Sequence, residues 1–190
     1  MNCRFNLGGS KALLRLGALL CLLAASAGAQ TSSGQLTITM NVQSSISLIF
    51  QDNASVGTPG FCPLTNANTN NVGLDLGTAA FPGNFHTSTC VNYQHLNAAF
   101  YEVSSAFDVV VTKANSSSPN YRLAAQISTP PPASVVWLIN NVTLTNTSFT
   151  ALDAADTFGQ RITKTLQVQV RNNVPAQVLQ ETITFLATAN

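Results

Sequence analysis

Few side chains in this 190-residue sequence can do chemistry. Cys62 and Cys90 bracket a stretch holding His86, and His95 follows five residues after Cys90. These four could ligate a metal, but they lack the short paired spacing of zinc motifs. A Cys62–Cys90 disulfide is the expected state if the chain reaches an oxidising compartment. Closing that loop would stabilise the fold by about 3.5 kcal/mol in the chain-entropy model. Glu102, seven residues after His95, would complete only an irregular ligand set, so no metal is assigned and the histidines read as surface or polar-core residues. Neither a Gly-X-Ser-X-Gly elbow nor a His-Glu-X-X-His helix is present. Asp75, Glu102, Asp108, Asp153 and Asp156 could be paired on paper for glycoside hydrolysis, but any set of seven acids permits some such pairing. Asp153 and Asp156 read as caps of a short helical turn. Neither a catalytic residue nor a cofactor is implied. The best ligand-binding guess is the group His86, Tyr93, His95 and Tyr101, whose rings could stack on a sugar.

The elements that must position these residues begin after residue 29. Arg4, Lys11 and Arg15, the apolar run 16–25 and the small residues Ala27-Gly28-Ala29 follow the order of a secretory signal peptide. Cleavage is expected before Gln30, leaving a single domain over 30–190. The apolar run is too short to span a bilayer, and no later run is as continuous, so no membrane span is expected in the mature chain. Cys21 is a poor lipidation site because Leu20 precedes it, where a small residue is normal. The expected destination is the periplasm, cell surface or extracellular space.

Composition narrows the partners. Charged residues are 8% and hydrophobic ones 45%, which excludes a disordered chain. The mature part keeps Lys113, Arg122, Arg161, Lys164 and Arg171 against seven acids, a formal charge of −2, so nucleic acid is excluded as a partner. Ser, Thr and Asn dominate the polar residues, as on a β-protein surface that is hydroxylated rather than ionised. Asn53, Asn115, Asn141 and Asn146 head Asn-X-Ser/Thr triplets that could accept glycans on a eukaryotic route.

The body reads as strands. Leu36, Ile38, Met40 and Val42 alternate with polar residues, a period-two signature. Ile46, Leu48 and Phe50 repeat it, as do Phe107, Val109 and Val111, then Tyr121, Leu123, Ala125 and Ile127, then Leu166, Val168 and Val170, and finally Ile183, Phe185 and Ala187. Leu74 and Leu76 make a short piece. Residues 135–139 and 142–145 flank Asn140-Asn141, which suits a two-residue hairpin turn. In that register Ile139 opposes Val142, Trp137 opposes Leu144, and Trp137 becomes a core anchor. About eight short strands without a sustained helical period predict an all-β antiparallel β-sandwich, Ig-like or pilin-like.

Three segments carry a family resemblance: the Leu-Thr-Ile-Thr-Met-Asn-Val strand after the signal peptide, Gly73-Leu74-Asp75-Leu76-Gly77-Thr78, and the terminal Thr184-Phe185-Leu186-Ala187-Thr188-Ala189-Asn190. The chain resembles bacterial exported β-sandwich proteins of the pilin-like and spore-coat-U-like kind, which build surface fibres. The resemblance implies a non-enzymatic fibre, coat or envelope subunit whose partners are itself or other exported surface proteins. A physical motive agrees with it. The strand with Leu36, Ile38, Met40 and Val42 has neither Lys nor Pro to blunt edge pairing, so it could join a neighbour's open sheet as readily as its own. A sugar- or surface-binding, adhesin-like module with a glycan partner is the alternative, and a secreted enzyme the third reading.

Overall fold

The computed structural model describes residues 39–40, 45–80, 85–172 and 174–190. The chain divides into two units, Met1–Asn41 and Val42–Asn190. The expected signal peptide lies outside the described residues, as do Leu36, Ile38 and Val42. Met40 is exposed and belongs to no strand. Every described strand lies in the second unit.

Its strands are β1 (Ser45–Gln51), β2 (Leu64–Thr65), β3 (Gly73–Leu74), β4 (Ala79–Ala80), β5 (Phe85–His86), β6 (Asn92–His95), β7 (Phe100–Ala114), β8 (Asn120–Ile127), β9 (Val135–Ile139), β10 (Val142–Thr143), β11 (Thr150–Thr157), β12 (Arg161–Arg171) and β13 (Ile183–Ala189). All pairings are antiparallel and no helix occurs among the described residues. One sheet has the order β1-β7-β12-β9-β10, with β6 also on β7; a second has the order β11-β8-β13. The expected all-β, antiparallel class is therefore present, with more and shorter pieces than the pattern suggested.

Strand β7 explains the architecture. Its residues Tyr101 to Val111 are buried on both faces, so alternation is masked along most of it. The odd-numbered residues Phe107, Val109 and Val111 join Tyr121, Leu123, Ala125 and Ile127 of β8, Ile139 of β9 and Val168 of β12 in one apolar cluster. Both sheets thus contribute to a shared core. Lower on the same face, Val103 packs with Cys62 and Val91 in a smaller cluster. The β9–β10 hairpin has the expected register, Ile139 opposite Val142, and Leu144 N donates to Trp137 O at 2.9 Å. Asn140 and Asn141 take φ of 50° and 65°, the left-handed values that turn demands. Trp137 is buried, as its position predicts.

The expected helical turn at Asp153–Asp156 is wrong. Residues 150–157 form β11, paired to β8 with register shifts between Ala151 and Asp153 and between Asp153 and Asp156. Each shift inserts one extra residue on β11. Strict alternation would put Asp153 and Asp156 on opposite faces; the second bulge puts both opposite inward residues, Leu123 and Tyr121. The broken period is what hid the strand from pattern reading.

Candidate functional site

The expected ring group is brought together. β6 pairs with β7 so that His95 lies opposite Tyr101 and Tyr93 opposite Val103. His86 and Tyr93 stack at 5.6 Å between centroids, Tyr93 and Tyr101 lie 5.9 Å apart, and Tyr101 and His95 stack at 4.5 Å. The four rings therefore form a continuous row, His86-Tyr93-Tyr101-His95. Tyr101 is buried and His95 exposed. His86 Nδ1 lies 2.6 Å from Ser88 O, a carbonyl that can only accept, so that nitrogen is the donor. Burial, and then the neighbouring Tyr101, push the Tyr93 phenol above its ordinary 10.0.

A disulfide between Cys62 and Cys90 anchors the loop bearing His86, as expected. Backbone bonds run beside it: Gly60 N and Phe61 N donate to Cys90 O at 2.7 and 2.9 Å, and Cys62 N donates to Ser105 Oγ at 2.8 Å. The Gly73–Thr78 motif packs against the same region. Leu74 and Leu76 contact both apolar clusters, Asp75 Oδ1 accepts from Gly77 N at 2.8 Å, and Gly77 has φ +72°. A Cβ on Gly77 would meet Ser88 Cβ at 2.9 Å. Gly77→Ala is expected to destabilise the fold by about 1–3 kcal/mol, because it adds a steric clash to a backbone conformation only glycine adopts freely. Urea unfolding checks this, and an unchanged midpoint would contradict it.

Glu102 does not join the histidines. Being next to Tyr101 in an extended strand, it faces the other side of the sheet, where Gln94 donates to Oε1 at 2.8 Å and Gln169 to Oε2 at 3.0 Å, while Gln167 Nε2 sits 3.2 Å from both oxygens. Three amides thus satisfy this buried carboxylate without a cation. Among the described residues no three His, Cys, Asp or Glu side chains group as metal ligands.

Two further features lie outside the residues singled out as a ligand site from the sequence. The first is a cleft of about 480 Å³ that opens between the sheets. Phe50, Phe107, Trp137, Ile139 and Leu166 from one sheet and Phe185 from the other line it, with Asn70, Gln180 and Glu181 among the polar lining residues. β1 and β13, which end their respective sheets, meet beside it, the Phe50 and Phe185 rings lying 5.1 Å apart. Neither strand contains a charged residue or a proline. Glu181 clips the segment before β13 to the end of β8: Oε1 accepts from Ser128 N and Oγ at 2.9 and 2.6 Å, and Oε2 accepts from Thr129 Oγ1 at 2.6 Å. Burial pushes its carboxyl up, but those hydroxyls and the amides of Ser128 and Thr182 more than offset this and hold it below its ordinary 4.5. A depressed folded value means this stabilisation is present above the unfolded value and lost as pH falls through the folded one. The wild-type chain is expected to lose stability more steeply below pH 4.5 than Glu181→Gln. Parallel pH profiles of urea unfolding would contradict this.

The second is a polar pocket between the sheets, in which Lys164 and Tyr121 are buried and Asp153 and Asp156 half-buried. Lys164 of β12 is 1% exposed, and its Nζ lies 2.5 Å from Asp153 Oδ2 of β11, so one ion pair links the two sheets. Asp156 lies within hydrogen-bonding reach of the Asp153 carboxyl, and Tyr121, fully buried, shares the pocket. Asp156 Oδ2 and Tyr121 Oη are buried without hydrogen-bond partners. Burial, and then Asp153, push the Asp156 carboxyl above its ordinary value, although Lys164 opposes the shift. Burial, then Asp156 and Asp153, push the Tyr121 phenol up to about 12. The signal available in the sequence was parity: Lys164 occupies an inward position in the run Ile162, Lys164, Leu166, Val168, Val170.

No helix among the described residues is long and apolar enough to cross a membrane. Comparison with known proteins finds no family model, no curated protein and no solved structure that matches this chain.

Proposed function

We propose that this chain is an exported, non-enzymatic structural protein of the pilin-like kind, and that it works by β-sheet association with further copies of itself. In this reading the two sheets form a β-sandwich with an incompletely closed seam. The alternating segment with Leu36, Ile38, Met40 and Val42 is then the strand that one copy lends to another. The single observation that carries the reading is the cleft: aromatic and aliphatic side chains of both sheets line it, and it lies beside two uncharged terminal strands. An extended peptide whose alternate residues are apolar suits such a place, because its backbone can pair with a sheet edge while every second side chain enters the cleft.

Sedimentation of the processed protein over a range of concentrations tests this. Oligomers should grow with concentration, shrink in Ile38→Asp, and be capped by excess synthetic peptide of residues 35–42. A wild-type chain that stays monomeric and ignores the peptide overturns the reading.

The gathering of His86, Tyr93, His95 and Tyr101 into one row supports a second reading, a surface that binds glycans. A glycan array decides it: binding lost in Tyr93→Ala and Tyr101→Ala would favour this reading, and no binding by the wild type would remove it.

A further inference from the structure

We propose that Lys164 and Asp153 react with each other to form an amide bond between the two sheets, with Asp156 carrying the proton. The inference does not depend on the proposed association, since every group in it lies in one chain.

The geometry is that of two reactants already placed. Lys164 Nζ stands 2.5 Å from Asp153 Oδ2, and the carboxyl carbon is one bond beyond that oxygen. Holding amine and acyl carbon together removes the entropic barrier that makes amide formation slow between free molecules. The amine is 1% exposed and so cannot simply turn to solvent. A buried ammonium and its carboxylate partner also carry a large desolvation cost, which a neutral amide escapes. The β11 bulge supplies the remaining part, a second carboxyl beside the first. Asp156 lies within hydrogen-bonding reach of the Asp153 carboxyl, placed to pass a proton to one of its oxygens, and burial beside Asp153 shifts it toward the acid form that can donate. With one oxygen of Asp156 unpartnered, there is also an acceptor for the proton leaving nitrogen.

The step balances without any other reagent. One ammonium proton passes to the Asp153 carboxylate, giving a neutral amine and a neutral acid. The nitrogen lone pair attacks Asp153 Cγ, forming the C–N bond, while Asp156 protonates the carbonyl oxygen and takes a proton from nitrogen. One C–O bond then breaks and the oxygen leaves as water carrying two protons. Asp156 ends as it began, and nothing is oxidised or reduced. The buried setting favours the product by keeping bulk water from the new amide.

Mass spectrometry of the denatured, disulfide-reduced wild-type protein tests this. The expected mass is one water below that of the processed sequence. A tryptic digest should contain peptide 123–161 joined to peptide 162–171, uncut at Lys164. Lys164→Arg and Asp156→Asn should each restore the full mass. Full mass for the wild type with cleavage after Lys164 overturns the proposal whatever the variants do. A folded Asp156→Asn chain that still lacks one water overturns the role given to Asp156.

Discussion

Trp137→Ala is expected to lower the free energy of unfolding by about 3–5 kcal/mol, the usual cost of deleting a large aromatic from a core. Trp137 is 7% exposed, lies opposite Val168 of β12 and contributes to the wall of the cleft between the sheets. Its removal takes away packing from the apolar cluster and widens a space that is already open, so little collapse can compensate. Because it is the only tryptophan in the chain, the measurement must be followed by circular dichroism rather than by indole fluorescence. If the proposed association is right, the variant also loses part of the surface that receives an inserted strand, and its oligomers should be smaller at a stability-matched temperature. A loss below about 1 kcal/mol would place Trp137 outside the cooperative core.

Removing the disulfide by the pair Cys62→Ala and Cys90→Ala should cost about 3.5 kcal/mol, given the 28-residue separation. Here the effect has a local address. Cys62 packs with Val91 and Val103 on the lower half of β7, and the backbone around it is bonded to Cys90 and Ser105. Amide hydrogen exchange should therefore rise over residues 60–91 well before it rises in β8 or β12. The stacking of His86 on Tyr93 depends on that loop and should loosen with it, whereas His95 on Tyr101 should not. Uniform acceleration of exchange across both sheets would show that the loop is not a separate unit.

How much of the fold is legible in the sequence depends on how cleanly each strand separates its two faces. β8 alternates strictly, with Tyr121, Leu123, Ala125 and Ile127 buried, and the pattern names all four. The β9–β10 turn is legible because Asn140 and Asn141 are residues that tolerate the backbone it requires. β7 is visible only over Phe107 to Val111, because burial on both faces admits polar residues such as Ser104, Ser105 and Glu102 wherever neighbours can satisfy them. β11 is misread because its bulges break the period on which strand recognition depends. The ring row is half legible: the sequence places the four residues near one another, but the β6–β7 register brings His95 onto Tyr101, and His86 reaches Tyr93 from β5. Nothing local announces the cleft, which exists only once two sheets assembled from distant segments face each other. Lys164 is readable from parity, and escapes notice because a lysine is normally assumed to reach water.

The wiring of β7 sets a timetable for folding. Ala114 finds its partner at Ser45, and Phe100 finds one at Arg171, so the longest strand draws its neighbours from segments far before and far after it in the chain. Such non-local topology slows the search, because loop closure must precede the contacts that reward it. The large sheet cannot close during synthesis until β12 has been made. Until then the polypeptide has no complete native state to fall into, and β7 waits with one of its two long edges unpaired.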